Sequence, residues 1–120
     1  MGWLLSSLPM SDPSQPQIRM IDVGGKPVTL RTARASARLS AAPATVARIR
    51  SGSLDKGDAL AAARLAGIMA AKRTSEIVPL CHPLPLESID VMIDAAAADH
   101  VRIEATVRAT ARTGVEMEAL

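Results

Sequence analysis

The sequence predicts an α+β fold, with helices packed on one face of an antiparallel sheet. Three stretches carry that prediction. From Val101 to Arg112 apolar and polar residues alternate without a break, Val101, Ile103, Ala105, Val107, Ala109 and Ala111 against Arg102, Glu104, Thr106, Arg108, Thr110 and Arg112. A second alternating run, Ile89, Val91, Ile93 and Ala95, precedes it across a short connector, with Met92 out of phase. Together they predict a hairpin with one buried face and one charged, wet face. Upstream, Ala59 to Arg73 is Ala-rich and ends in two cations, the pattern of a helix whose C-terminus favours positive charge.

Taken in order, residues 1–19 are rich in Ser, Pro and Gln after a short apolar start, and are expected to form a flexible arm outside a domain spanning 20–120. Met20 to Val23 is a short apolar piece, and Gly24-Gly25-Lys26-Pro27 is a turn. Val28 to Leu39 reads as a strand with Ala33, Ala35, Ala37 and Leu39 on one side. Val28 and Leu30 fall in the other phase, which predicts a bulge near Arg31. Ser40 to Arg50 reads as a short helix, with Pro43 in its first turn and Gly52 past its end. Asp58 is placed to cap the long helix, which carries Leu60, Leu65, Ile68 and Met69 on an expected common side. Gly67 in its middle calls for a backbone packed close by. Lys72 to Leu86 then reads as a loop stiffened by three prolines, holding Leu80, Cys81 and His82 in an extended segment. After Thr113-Gly114, residues 115–120 begin a helix.

Composition narrows the function. A chain of 120 residues is one domain. With no Phe, no Tyr and Trp3 as the sole aromatic, the core must be built from Ala, Val, Leu, Ile and Met. Such side chains favour a thin two-layer structure with little buried area per residue, which oligomerisation would supplement. A net charge of +2 without polybasic runs does not point to nucleic acid. One cysteine excludes an internal disulfide and fits a reducing, cytoplasmic compartment. No apolar run reaches membrane-spanning length, and the first residues lack the basic flank of a secretory signal.

Chemistry concentrates in the proline-stiffened loop. Cys81-His82 invites a metal reading, but a zinc site needs at least three protein ligands, and only His100 and scattered carboxylates could complete one. Cys81 is read instead as a small buried hydrophobe. Neighbouring side chains on an extended segment point apart, which argues against a Cys–His nucleophilic pair. His82 remains, with Lys72 at the end of the helix entering the loop and Lys56 at its start. Arg outnumbers Lys by 11 to 3, so each Lys is a candidate for a place where a compact ammonium matters. Asp58 to Arg73 would span roughly 24 Å, too far for Lys56 and Lys72 to share a pocket within one chain. Residues alone therefore give an anion or phosphate site with one His and two Lys.

Several segments carry a resemblance. Lys56-Gly57-Asp58, Ala63 to Ile68, Ala70 to Ser75, Pro79-Leu80-Cys81-His82-Pro83-Leu84 and Thr113-Gly114-Val115-Glu116-Met117-Glu118-Ala119-Leu120 resemble, in order, the cyclic pyranopterin monophosphate synthase family, molybdenum cofactor biosynthesis protein C. The resemblance implies a ferredoxin-like two-layer sandwich. It implies a lyase, without cofactor or metal, that converts the 3′,8-cyclised GTP intermediate to cyclic pyranopterin monophosphate and releases pyrophosphate. It implies a homohexamer, a trimer of dimers, with sites between subunits, so that Lys56 and Lys72 can meet. Carried over by position, Leu80, Cys81, His82, Met117 and Glu118 bind substrate, and Lys56, Lys72, His82 and Glu116 are catalytic.

The family's helix from Val115 continues to a catalytic Asp and Lys, and a last strand follows. Neither lies within these 120 residues. The expectation is a C-terminally truncated member, inactive and poorly soluble when made alone, with Met10 or Met20 a candidate start. Two alternatives stand beside the enzyme: an inactive relative or gene fragment acting at most as a subunit, and, ranked lower, an RNA-binding module. The wet face of the hairpin has arginines but no aromatic on which a base could stack.

Overall fold

The computed structural model describes residues 18–120, so all but the last two residues of the expected arm lie outside it. Three strands form one sheet: β1 (Thr29–Ser40), β2 (Leu86–Asp94) and β3 (His100–Ala111), in the order β1-β3-β2. β3 runs antiparallel to both neighbours, which makes β1 and β2 parallel to one another across it. The connection from β1 to β2 carries α1 (Pro43–Ser51), α2 (Ala59–Lys72) and the single turn α3 (Thr74–Ile77); α4 (Glu116–Ala119) follows β3. This is the split β-α-β arrangement of a ferredoxin-like α+β sandwich.

Register explains the faces. Ala33 pairs with Val107, Ala35 with Ala105, Ala37 with Ile103 and Leu39 with Val101, while Ile89, Val91 and Ile93 face the same three central partners from β2. Odd-numbered residues of β3 therefore lie under the helices, and Arg102, Glu104, Thr106, Arg108 and Thr110 occupy the open face. The core divides in two. Val107, Ala109, Ala111, Val115 and Ala119 are buried together below α4. Val46, Ala95 and Val101 are buried below α1. Arg50 ties α1 to the hairpin, donating from Nε to the carbonyl of Ala95 at 2.8 Å and from Nη2 to that of Ala97 at 3.0 Å.

The bulge lies elsewhere than expected. β1 keeps continuous register from Thr29 to Ser40, and Leu30 simply stays on the open face opposite Thr110. The irregularity is in β2, where Leu86 pairs with Ala109 and Ser88 with Arg108, leaving Glu87 extra. That extra residue turns Leu86 inward against the α4 core and re-aims the proline loop before it.

α2 begins as its sequence requires, with Asp58 Oδ1 accepting from the N–H groups of Leu60 and Ala61 at 3.0 and 3.1 Å. Its inward side is Leu60, Gly67, Ile68 and Ala71. Leu65 and Met69 are 60% and 50% exposed, correcting their expected placement beside Leu60. At about 100° per residue they sit roughly 140° and 180° round the helix from Leu60. The close neighbour of Gly67 is a side chain rather than a backbone: a β-carbon there would lie 3.3 Å from Cγ2 of Val91.

Candidate functional site

The stretch after α2 is folded rather than wholly a loop. Thr74, whose hydroxyl donates to the carbonyl of Ala70 at 3.0 Å, starts the extra turn α3. The chain then reverses, with the N–H of Cys81 donating to the carbonyl of Val78. Leu80 is not extended as expected; its φ is +64°, the left-handed region. For a Leu that conformation costs on the order of 1–3 kcal/mol and persists only where surrounding structure imposes it. The reversal is what points Leu80, Cys81 and His82 toward α4.

These residues meet the start of α4 in a cavity of about 300 Å³, lined by Leu80, Cys81, His82, Glu116, Met117 and Glu118. Lys72 lies next door: with His82 and Glu118 it lines an adjoining hollow of about 80 Å³. Seven of the eight sequence-predicted site residues are thus gathered at one place. Lys56 is not among them. It sits in the turn before α2, and the 14 residues of that helix put roughly 21 Å between its ends.

The cavity also holds residues that sequence reasoning passed over. Arg19, assigned to the arm, and Lys26, assigned to a turn, both line it, as does Thr113. The short apolar piece brings them there, since Ile21 and Val23 line the same cavity. The scarcity of Lys was a signal for Lys26; nothing in the sequence marked Arg19.

Cys81 and Glu118 are the most enclosed pair. The thiol donates to Glu118 Oε1 at 3.6 Å and to the carbonyl of His82 at 3.8 Å. Glu118 is 8% exposed, and its Oε2 is buried with no hydrogen-bond partner among the described residues. A buried carboxylate oxygen without a donor is costly. Burial, with the Glu118 carboxylate beside it, pushes the Cys81 thiol above its ordinary range. This agrees with a wall residue rather than a nucleophile. An unfolded chain ionises its cysteine first as pH rises past about 8.5. The stability held in the protonated thiol is therefore complete below that pH and is lost as pH rises through the folded-state value. Cys81→Ala is expected to flatten this alkaline loss, measured as the thermal midpoint from about pH 7 to pH 10; an unchanged slope would place the titration elsewhere.

His100, the other imidazole, bonds to Asp99 through Nδ1 at 2.9 Å, and Asp99 is held below the usual carboxylate range by that bond. It begins β3 opposite Ser40, at the end of the sheet away from Leu86 and the proline loop. Among the described residues no three His, Cys, Asp or Glu side chains are grouped to hold a metal ion. Among them, too, no helix is long and apolar enough to cross a membrane.

Comparison with known proteins agrees with this picture. The model of the MoaC family matches residues 20–120. The chain is 56% identical over 102 residues to cyclic pyranopterin monophosphate synthase 3 of Mycobacterium tuberculosis H37Rv, covering 85% of this chain and 58% of the relative. It is 56% identical over 107 residues to the cyclic pyranopterin monophosphate synthase of Herpetosiphon aurantiacus, covering 88% and 65%. It is 58% identical over 102 residues to that of Streptomyces coelicolor, covering 85% and 59%. The chain spans about three-fifths of the length of these curated relatives.

Proposed function

This chain belongs to the MoaC family, and on that premise we propose that it serves molybdenum cofactor biosynthesis. The reaction is conversion of the 3′,8-cyclised GTP intermediate to cyclic pyranopterin monophosphate with release of pyrophosphate. The observation that carries the reading is the cavity lined together by His82, Glu116 and Glu118, with Lys72 lining the adjoining hollow.

The residues suit the task. A triphosphate brings several negative charges, and the cations at the cavity, Lys72, Lys26 and Arg19, would offset them as pyrophosphate leaves. His82 is half-buried beside two carboxylates and can move protons during ring opening and reclosure. Glu118 offers an unpartnered acceptor to a ring N–H of the pterin precursor. Leu80, Cys81 and Met117 shape the wall. Lys56 joins only if a second subunit supplies it, which accords with a hexamer, a trimer of dimers, with sites between subunits. A nucleotide-derived substrate and a free thiol fit the cytoplasm.

The test is expression of the mass-verified chain, an assay for pyrophosphate release from the cyclised GTP intermediate, and a parallel measurement of its binding. Release supports the enzyme and overturns the expectation of an inactive chain. Binding without release leaves the chain as a non-catalytic subunit. Absence of both rejects the site.

A further inference from the structure

We propose that Gly114 is a positioning residue, whose missing side chain is the seat of the Glu116 carboxylate in the proposed active site. The inference deepens the reading above and rests on it for the role of Glu116.

Glycine at this point has no backbone explanation. Among the described residues, glycines with positive φ are Gly52 and Gly57, and Gly114 is not one of them. Its conformation is one that alanine adopts freely. The connection is anchored on both sides, by Ala111 at the end of β3 and by Val115, which is 1% exposed. A β-carbon at position 114 would instead clash with both carboxylate oxygens of Glu116 where they now lie. The carboxylate lies back over the bare α-carbon of a residue two positions earlier, and both residues line the cavity. Among the described residues no hydrogen bond or ion pair holds that carboxylate. Its place is set by available space, and its oxygens remain free as acceptors for whatever occupies the cavity.

Alanine at 114 leaves the carboxylate nowhere to lie but outward. The displaced atoms are the end of a flexible side chain, so the fold adapts easily and the catalytic geometry changes. Displacements of about 1 Å in a positioned group cost on the order of a hundredfold in rate. Gly114→Ala is therefore expected to lower kcat/KM for pyrophosphate release on the order of tenfold to hundredfold, while the thermal midpoint stays level or rises because alanine restricts the unfolded chain.

A cycle of four chains separates this role from others: wild type, Gly114→Ala, Glu116→Gln and the double variant. If Gly114 acts through Glu116, the double variant is no slower than Glu116→Gln alone. Losses that multiply would mean that residue 114 touches substrate directly, and would overturn the proposal, as would a wild-type rate in Gly114→Ala. A second readout does not depend on turnover. The chemical shift of the Glu116 side-chain carboxyl carbon, read by carbon NMR in the ligand-free chain, should differ between Gly114→Ala and wild type; an unmoved resonance rejects the seat. A wild-type chain that releases no pyrophosphate would count against the proposed reaction, and the seat would then be judged by that resonance alone.

Discussion

Replacing His82 with alanine is expected to lower pyrophosphate release by at least about tenfold, with the thermal midpoint preserved. His82 is the imidazole that lines both the main cavity and the adjoining hollow, between the two carboxylates of α4 and the ammonium of Lys72. It contributes little to the core, since the buried cluster below α4 is made of Val107, Ala109, Ala111, Val115 and Ala119. A loss of rate without a loss of stability is the signature of a group that handles protons rather than packing. Lys72→Ala should cost a similar factor, mainly through the phosphate end of the substrate. Lys72→Arg should restore it poorly, because a planar guanidinium does not fit where a compact ammonium adjoins a hollow of about 80 Å³. Near-normal rates in His82→Ala and Lys72→Ala, measured in folded chains, would remove both residues from the site.

Replacing Glu118 with methionine is expected to do two opposite things. Substrate affinity should fall at least about tenfold, because a buried, unpartnered acceptor of a cavity-lining residue is gone. Stability should rise, by roughly 1 kcal/mol, which for a domain of this size corresponds to several degrees in thermal midpoint. Glu118 is 8% exposed, and among the described residues its Oε2 has no donor and its Oε1 only the weak donor of Cys81 at 3.6 Å. An apolar side chain of similar length removes that uncompensated burial and packs against a neighbouring hollow lined by Ile77, Val78 and Val107. Functional residues that destabilise their own fold follow from selection for binding rather than rigidity. A fall in stability on substitution would show that the carboxylate is satisfied within the protein, and would undo the argument that it waits for a ligand.

Much of this was readable beforehand, and the failures have physical causes. The hairpin was legible because a sheet with one covered face imposes a period of two that β3 obeys at every position. The start of α2 was legible because Asp58 is a chemical cap for exposed N–H groups. The bulge was misplaced because alternation records a change of phase only when the flanking residues differ in polarity. Leu30 stays on the wet face at little cost, while Glu87 is itself the extra residue of β2. Leu65 and Met69 were misassigned because hydrophobicity was read without the angular position it occupies on the helix. Of the site, the His, Cys and Lys of one loop and the Glu-Met-Glu run were found from residue type and family resemblance. Arg19 was not, since a lone arginine in a polar arm has no local pattern to distinguish it.

The sequence by itself determined the three strands, the two longer helices and the buried side of β3, though not the turn α3; these depend on neighbours within a few residues. Only the tertiary structure decided what the proline loop faces. The left-handed turn at Leu80 and the extra residue in β2 aim Cys81 and His82 at α4, 37 residues further on between Cys81 and Glu118. The same packing leaves Glu118 Oε2 buried without a partner among the described residues and lays the Glu116 carboxylate over Gly114. Distances between segments so far apart in the chain are set by how the sheet and helices stack, a property that no local pattern encodes.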